Sequence, residues 1–543
     1  MTSSGSKVHN SVDSSMINRV HFCLQLTRKV TGQNSSFLLP ASMDLYDVWN
    51  HINVRTALLG FTLFTILFWV FRRPRNLPPG PRGWPLLGYL PQLAMIKGPI
   101  HEALGDLSHR YGSLVSFSVA NQLIVVLQDY DVMKEAFAQH ELSGRPRLEI
   151  SQITLPGYGV LSASGEPWVE LRRFSVTTLR GLGVGKSSFE EHITTETKCL
   201  MEEIRKTKGE ILNPKHVVEN AVSNVICSVI FGRRFEYTDT KFKRLLGVLS
   251  KMFELIGAGG VVQFVPIFAK MQFLPIVKEL IHTNISFDEI LYQLLYSRNV
   301  DQGELDFNED PRDFAGAFMK EMDDKEKQGV QTYLTPASMH YTFGDLFGAG
   351  TETTSTTLRW TLLFMVGYPE IQTRVQKDID RVVGRNRLPR LSDKPELPYV
   401  EAVISEVQRL GNIAPLGVPH KCTEDTTLRG YHIPKGALIV ANMWCVHSDP
   451  SEWPNPSEFR PERFLDEDGK LVRREKLIPF GIGRRVCLGE QLARMELYII
   501  FTCLMHQFTF RTPEGAEPVA FKACHGITHA PAPFEICANP RDN

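Results

Sequence analysis

The 543-residue sequence predicts a mainly α-helical fold with a small β-sheet region, built as one large domain behind an apolar amino-terminal segment. Three observations carry that expectation. Apolar residues recur at helical spacing through most of residues 130 to 410, with Gly and Pro as punctuation. Strand-like runs are confined to two short patches. Neither an internal repeat nor a linker divides residues 90 to 543. Length alone favours several domains, so the single-domain reading rests on that missing break.

Composition narrows the class. Lys plus Arg and Asp plus Glu number 60 each, and aromatic residues make up 10%. This is a globular composition with ample material for a core, and its zero formal charge gives no case for nucleic acid. Nine cysteines show no framework spacing and no CxxC, which favours a reducing compartment and gives no zinc ribbon.

Residues 1 to 50 are Ser-rich, with scattered Arg and Lys and few acids; a weak transit peptide and a structureless tail are both open, and 1–55 is read as a variable extension. "ALLGFTLFTILFWVF", Ala57 to Phe71, is uncharged and mostly apolar, and "RRPR" follows it. A bilayer span needs about 20 apolar residues. The run is slightly short, so a buried helix competes, but the basic cluster favours a membrane anchor over 56–72 with the cluster facing the cytosol. Arg72, Arg73 and Pro74 leave no small-residue cleavage site. Pro78, Pro79 and Pro81 forbid helix and make 73–90 a stiff hinge before a body of 91–543. "LVSFSV" and "LIVVL", joined through Ala120–Gln122, predict a hairpin, and "TTLRGYHIPKGALIVANMW" is the second β patch. "GLGVGKS" at Gly181–Ser187 imitates a phosphate loop, but that loop needs glycine where Arg180 stands; a surface turn after a helix is predicted instead.

Two stretches suggest chemistry. Residues 340 to 366 read as a long apolar helix ended by Gly367 and Pro369, yet its middle, "GAGTETTSTT", is polar and glycine-rich. Thr353 can bond back to the carbonyl of Ala349 and open a polar notch, with the acid Glu352 beside it as a proton-relay candidate. In "PFGIGRRVCLGEQ", a lone cysteine sits in a glycine-and-arginine turn before a helix start. Gly481, Gly483 and Gly489 permit close backbone approaches. Arg484, Arg485 and the helix N-terminus are expected to lower the thiol pKa, which suits an axial ligand of haem iron.

In order along the chain come the Pro hinge, W-x-x-x-R at Trp168–Arg172, A-G-x-E-T at Ala349–Thr353 and E-x-x-R at Glu406–Arg409. Pro419–His420, P-E-R-F at Pro461–Phe464 and F-x-x-G-x-R-x-C-x-G through Phe480, Gly483, Arg485, Cys487 and Gly489 follow. This series resembles the cytochrome P450 family from about residue 57 to the end. The resemblance implies a single large haem domain, haem b as cofactor and Cys487 as the proximal iron ligand. It implies that Arg145, Trp168, Arg172, His420 and Arg485 are donors to the haem propionates. Glu406, Arg409 and Arg463 resemble a buried structural triad, and Glu352 with Thr353 resembles the pair that supplies protons to oxygen.

"PRDFAGAFMKEM", "VGRNRLPRLSDKPELPYVEAVISEVQRL" and "PFGIGRRVCLGEQLARMEL" resemble microsomal family-2 members, nearest to the long-chain fatty-acid hydroxylase branch. That implies O2, a lipophilic substrate, the endoplasmic reticulum membrane with a mitochondrial pool open, and electrons from NADPH–cytochrome P450 reductase, with cytochrome b5 a further partner. Steroid (ecdysteroid-like) and xenobiotic hydroxylation are the alternatives. A peroxide isomerase or a haem carrier is the other class, and the intact Glu352–Thr353 pair argues against both.

Overall fold

The computed structural model describes residues 57–62, 65, 76–146, 158–259, 271, 273–302, 311–526 and 528–541. Two compact units emerge, Met1–Arg72 and Arg73–Asn543. Within the first, residues 57–62 and 65 are helical and Leu58, Leu59 and Phe61 are exposed. Most of the expected anchor lies outside the described residues, and none of the described helices is long and apolar enough to cross a membrane.

Eleven described helices of nine residues or more make up the second unit: α1 Tyr130–Ala138, α2 Gly165–Gly181, α3 Glu190–Lys206, α4 Pro214–Phe231, α5 Thr240–Gly259 and α6 Pro275–Gln302. They continue with α7 Phe314–Lys327, α8 Pro336–Gly367, α9 Pro369–Val383, α10 Pro398–Gly411 and α11 Glu490–Gln507. Helix α8 is the axle. Thr335 caps it through a reciprocal bond pair with Ser338, and Pro336 occupies its first turn, where a missing N–H costs nothing. It runs unbroken for 32 residues, about 48 Å, until Gly367 and the Pro369 that opens α9. The largest core cluster includes Leu200 of α3, Val222 of α4, Leu358 of α8, Val400 of α10 and Ile499 of α11.

Both expected β patches form, but further short strands at 211–212 and within 508–540 fall outside them, too brief to show an alternating pattern in the sequence. β1 Leu114–Val119 and β2 Gln122–Leu127 form the hairpin, with Ala120 at φ 51° in the turn. β3 Ile211–Leu212 precedes β4 His420–Lys421, then β5 Thr426–Leu428 and β6 Tyr431–Ile433 as a second hairpin, and β7 Leu438–Ala441. β7 lies parallel to β2 and antiparallel to β4, so its Leu-Ile-Val-Ala run is buried throughout. β8 Phe508–Arg511, β9 Ala523–His525, β10 His529–Pro531 and β11 Ile536–Pro540 complete the chain in sheets of order β10-β9 and β3-β11-β8. Residues 181–187 are the turn expected after α2. The proline-rich segment is bonded to the sheet: Ser116 donates its N–H to Pro79 O at 2.8 Å and its hydroxyl to Pro78 O at 2.6 Å. A Cβ on Gly80 would lie 1.9 Å from the Ser116 carbonyl oxygen, so only glycine allows this approach.

Beneath α8 lies a fully buried ion network. Arg409 grips Glu406 through two bonds of 2.7 and 2.8 Å, and Arg463 reaches the same carboxylate at 3.1 Å. The remaining guanidinium protons go to the carbonyls of His447, Pro454, Asn455, Pro456 and Glu458. Helix α10 is thereby tied to the loop 447–463. His447 extends the tie, since its Nε2 accepts the N–H of Ile478 at 3.0 Å, immediately before the cysteine turn.

Removing one member of such a network strands buried charge, at a cost of about 3–5 kcal/mol. Glu406→Gln should therefore lower the thermal unfolding midpoint severely. Lys134→Ala breaks only exposed contacts, with Glu475 and the Tyr130 ring, and should leave the midpoint nearly unchanged. Calorimetry of both variants checks the contrast, and equal losses would refute it.

Candidate functional site

One cavity gathers residues from α1, α2, α8, the 408–420 segment, the 479–489 turn and α11. Phe480, Cys487 and Gly489 line it from below, Ala349, Gly350 and Thr353 from α8, and Arg145, Arg172, His420 and Arg485 along its edge. The cysteine turn is held tightly: Cys487 N–H donates to Phe480 O at 3.0 Å, and Gly483 sits at φ 77°. A Cβ on Gly483 would lie 2.6 Å from Phe137 on α1, so this glycine sets the seating of the turn. Gly481 likewise has φ 72°. Gly489 departs from expectation. Its φ is −89°, and a Cβ would rest 3.9 Å from Cys487 Sγ, an ordinary contact.

Cys487 Sγ opens onto the cavity and is enclosed by protein elsewhere. Burial pushes its thiol pKa up; the Gly489 and Glu490 N–H groups and the Arg172 guanidinium pull it down without reversing the shift. This corrects the expected role of Arg484 and Arg485. Arg485 is spent on Ser143 O at 2.9 Å and Ala163 O at 2.6 Å, and Arg484 is exposed. A coordinated metal cation would complete the deprotonation.

The cavity edge is a concentration of unpaired positive charge. Arg145 donates to Val418 O and Pro419 O, and Arg172 to Val486 O. Among the described residues no carboxylate forms an ion pair with Arg145, Arg172 or Arg485. Burial and mutual repulsion lower Arg145 to about 9 and Arg485 to about 8. Arg145 Nε and Trp168 Nε1 are buried without partners. Trp168 stands one layer back, its ring 4.0 Å from the Arg485 guanidinium carbon. His420 stacks on Phe137 at 4.2 Å, and its Nδ1 lies 2.8 Å from Leu142 O, an acceptor only. Nδ1 therefore carries the proton, and a neutral ring presents a bare Nε2 to the cavity. Burial, then Arg145, lowers its pKa to about 2. His420 could thus donate to a propionate only as imidazolium, a narrower role than expected.

On α8, Thr353 Oγ1 donates to Ala349 O at 2.7 Å as expected, but the helix continues without a break. Glu352 does not join Thr353 at the cavity. Its carboxylate faces about 100° round the helix, accepting from Thr528 at 3.1 Å and Thr356 at 3.3 Å. Three groups escaped the sequence reading. His447 anchors the cysteine turn; Glu496 of α11 lines the cavity, its carboxyl held well above the usual range by burial. Asp345 lines it from α8, accepting the Leu161 N–H at 2.8 Å, and burial pushes it up to about 7. Its signal was legible: a lone acid within the otherwise apolar stretch "FGDLFG" of α8.

A slot edged by unpaired guanidinium groups, with a cysteine sulfur beneath and an alcohol above, fits a flat dianion carrying a metal. That is the site of a haem protein with a cysteine ligand. The chain belongs to the cytochrome P450 family: the family model matches residues 78–538. It is 39% identical to cytochrome P450 2U1 of Bos taurus over 515 residues, covering 90% of this chain and 93% of that one. Cytochrome P450 2J2 of Homo sapiens is 41% identical over 500 residues (91% and 98%), and cytochrome P450 2J3 of Rattus norvegicus 40% over 510 (93% and 100%). The protein is a haem b monooxygenase that uses O2 and a lipophilic small molecule.

Asp345 gives a pH test. Its folded pKa lies above the ordinary value of 3.8, so between about pH 4 and 7 the folded state holds the extra proton and stability falls as pH rises. Asp345→Asn keeps an acceptor for Leu161 N–H without the charge. It should stabilise the protein at pH 8 by on the order of 1–3 kcal/mol and leave it unchanged at pH 4. Denaturant unfolding at both pH values decides, and equal effects would contradict the burial argument.

Proposed function

We propose that this monooxygenase hydroxylates long-chain fatty acids at or near the methyl end. The observation that supports this is the placement of charge in the cavity. Val160, Leu161, Leu346, Ile413, Ala414 and Val418 give it an apolar lining. Its cationic lining residues are Arg145, Arg172 and Arg485, which this reading assigns to the haem propionates. The remaining charged groups, Asp345 and Glu496, are acids. A fatty-acid carboxylate therefore finds no partner deep inside and stays toward the entrance, while each buried CH₂ contributes ~0.8 kcal/mol. The tail end is presented to the chemistry. The family resemblance implies substrate contacts in 150–162, 255–268, 343–349, 413–418 and 526–528, and the cavity is lined by residues 160 and 161 of the first, 345, 346 and 349 of the third and 413, 414, 417 and 418 of the fourth. Residues 260–268 lie outside the described chain, and Thr528 bonds Glu352 instead. A steroid is the competing reading, favoured by Asp345, which could accept from a ring hydroxyl.

In this reading Cys487 holds haem iron from below, Arg145, Arg172 and Arg485 fork the propionates, and Trp168 Nε1 and Arg145 Nε supply the unused donors. Bound haem activates O2 for insertion of one oxygen atom into the substrate. Thr353 places a hydroxyl over that centre and Glu352 supplies protons. NADPH–cytochrome P450 reductase, and cytochrome b5 as a further partner, would dock near the cysteine turn. Arg484 is exposed there, whereas Arg494 is engaged with Glu490 at 2.9 Å. Residues 56–72 would hold the body on the cytosolic face of the endoplasmic reticulum.

Two outcomes are expected. The reduced carbon monoxide complex should show the red-shifted Soret band of thiolate ligation, and Cys487→His should lose it; a globin-like band in the folded wild type would sink the assignment. In reconstitution with reductase and competing arachidonate-like and steroid substrates, hydroxylation should fall near the fatty-acid terminus. Steroid turnover alone would overturn the substrate choice and leave the monooxygenase untouched.

A further inference from the structure

Reducing one oxygen atom of O2 to water takes two electrons and two protons, so a carboxyl that supplies protons has to be recharged each cycle. Glu352 is placed oddly for a group fed from the substrate cavity. It lies off that cavity, against α4, in a buried cluster of charged groups. Glu219 of α4 is 6% exposed, and its Oε1 has no hydrogen-bond partner. Arg359, one face of α8 further on, is equally buried, with its Nε unpartnered and an Nη2 bond to Pro531 O at 3.1 Å. At the opposite edge, Lys215 Nζ stands 3.8 Å and His216 Nδ1 3.7 Å from the Glu219 carboxylate. The His216 side chain is 80% exposed, so the cluster runs from solvent to the core of the helix pair. Ile226, two turns along α4, would meet a Cβ on Gly350 at 3.0 Å, and this close approach seats the two helices.

We propose that His216 and Glu219 form the proton-entry route that recharges Glu352 from the protein surface, behind α8 and apart from the substrate cavity. The inference rests on the assignment of Glu352 as proton donor. Imidazolium His216 gives a proton to the Glu219 carboxylate; Glu219 gives it to ionised Glu352 and becomes an anion again. Neutral His216 regains a proton from bulk water. Rotation of the Glu352 side chain carries the proton round α8 to the Thr353 side, where it is consumed in forming water. The electrostatics suit each step. The Glu219 carboxylate, 3.7 Å from Nδ1, raises the His216 pKa and so favours its imidazolium form. Burial and then the Glu219 charge raise Glu352, which favours its protonated form. Arg359 and Lys215 oppose that rise and limit it, and Cys524 of β9 is the remaining titratable group facing Arg359. Such a route leaves the apolar cavity dry, which lets a hydrocarbon fill it.

The test uses the full-length holoenzyme. Glu219→Gln should leave the carbon monoxide spectrum and substrate binding intact while product per NADPH falls about tenfold and peroxide rises correspondingly, a modest share of what general-acid delivery is worth. Glu219→Asp should restore part of the coupling, and the exposed His216→Gln, which carries little folding risk, should reproduce the loss in milder form, greatest at low pH and fading as pH rises through the His216 pKa. A readout independent of turnover is the carboxyl C=O band of Glu352 followed by infrared difference spectroscopy against pH. Removing the Glu219 charge should move its titration to lower pH, and NMR should show the His216 pKa falling. Normal coupling in Glu219→Gln alongside uncoupled Glu352→Gln would overturn the route alone, as would an unmoved Glu352 band. Normal coupling in both variants would overturn the role of Glu352 as well.

Discussion

Three guanidinium groups, one buried and two half-buried, with no carboxylate paired to them among the described residues, set the terms for this molecule. Arg145, Arg172 and Arg485 converge on one cavity edge, each lowered by burial, with their charges repelling one another. The protein holds them there with backbone carbonyls from Ser143, Ala163, Val418, Pro419 and Val486. Carbonyl dipoles steady a cation without neutralising it. The protein alone leaves this charge uncompensated, and Arg145 Nε and Trp168 Nε1 stay without partners.

The cysteine turn depends on a second, fully compensated charge system. Glu406 neutralises Arg409 and Arg463, whose spare donors bind the loop that contains His447. His447 then holds Ile478, and the turn begins one residue later. Rigidity thus passes from α10 through the loop to the sulfur. The two systems differ in their logic: one is closed within the protein and stabilises it, while the other leaves positive charge uncompensated at the cavity edge.

Helix α8 borders two environments, divided by position along its axis as well as by phase, since Glu352 lies two turns beyond Asp345 and only about 20° from it in phase. Asp345, Ala349 and Thr353 look into the apolar cavity, while Glu352 and Arg359 look into the polar cluster against α4. Chemistry that needs both hydrocarbon and protons is served by a single element, because adjacent residues on a helix point about 100° apart. The acid and the alcohol are neighbours in the chain and strangers in space.

Much of this was determined by sequence. The period of apolar residues marked the helices, alternation marked the β1–β2 and β5–β6 hairpins, and the prolines and glycines marked where α8 ends. Those signals are local, since each depends on residues within a turn or two. The spacing around Cys487 also marked a tight glycine turn before α11, where Gly481 and Gly483 take positive φ. Tertiary structure alone decided the rest. It pulled Arg485 away from the sulfur toward Ser143 and Ala163, and brought Arg172 near it instead. It committed the Nδ1 proton of His420 to Leu142, 278 positions away in the chain. It turned Glu352 toward Glu219 and made Asp345 a cavity residue. Burial and charge pairing come from segments hundreds of residues apart, and no local pattern encodes which long-range neighbour will claim a proton or a carbonyl.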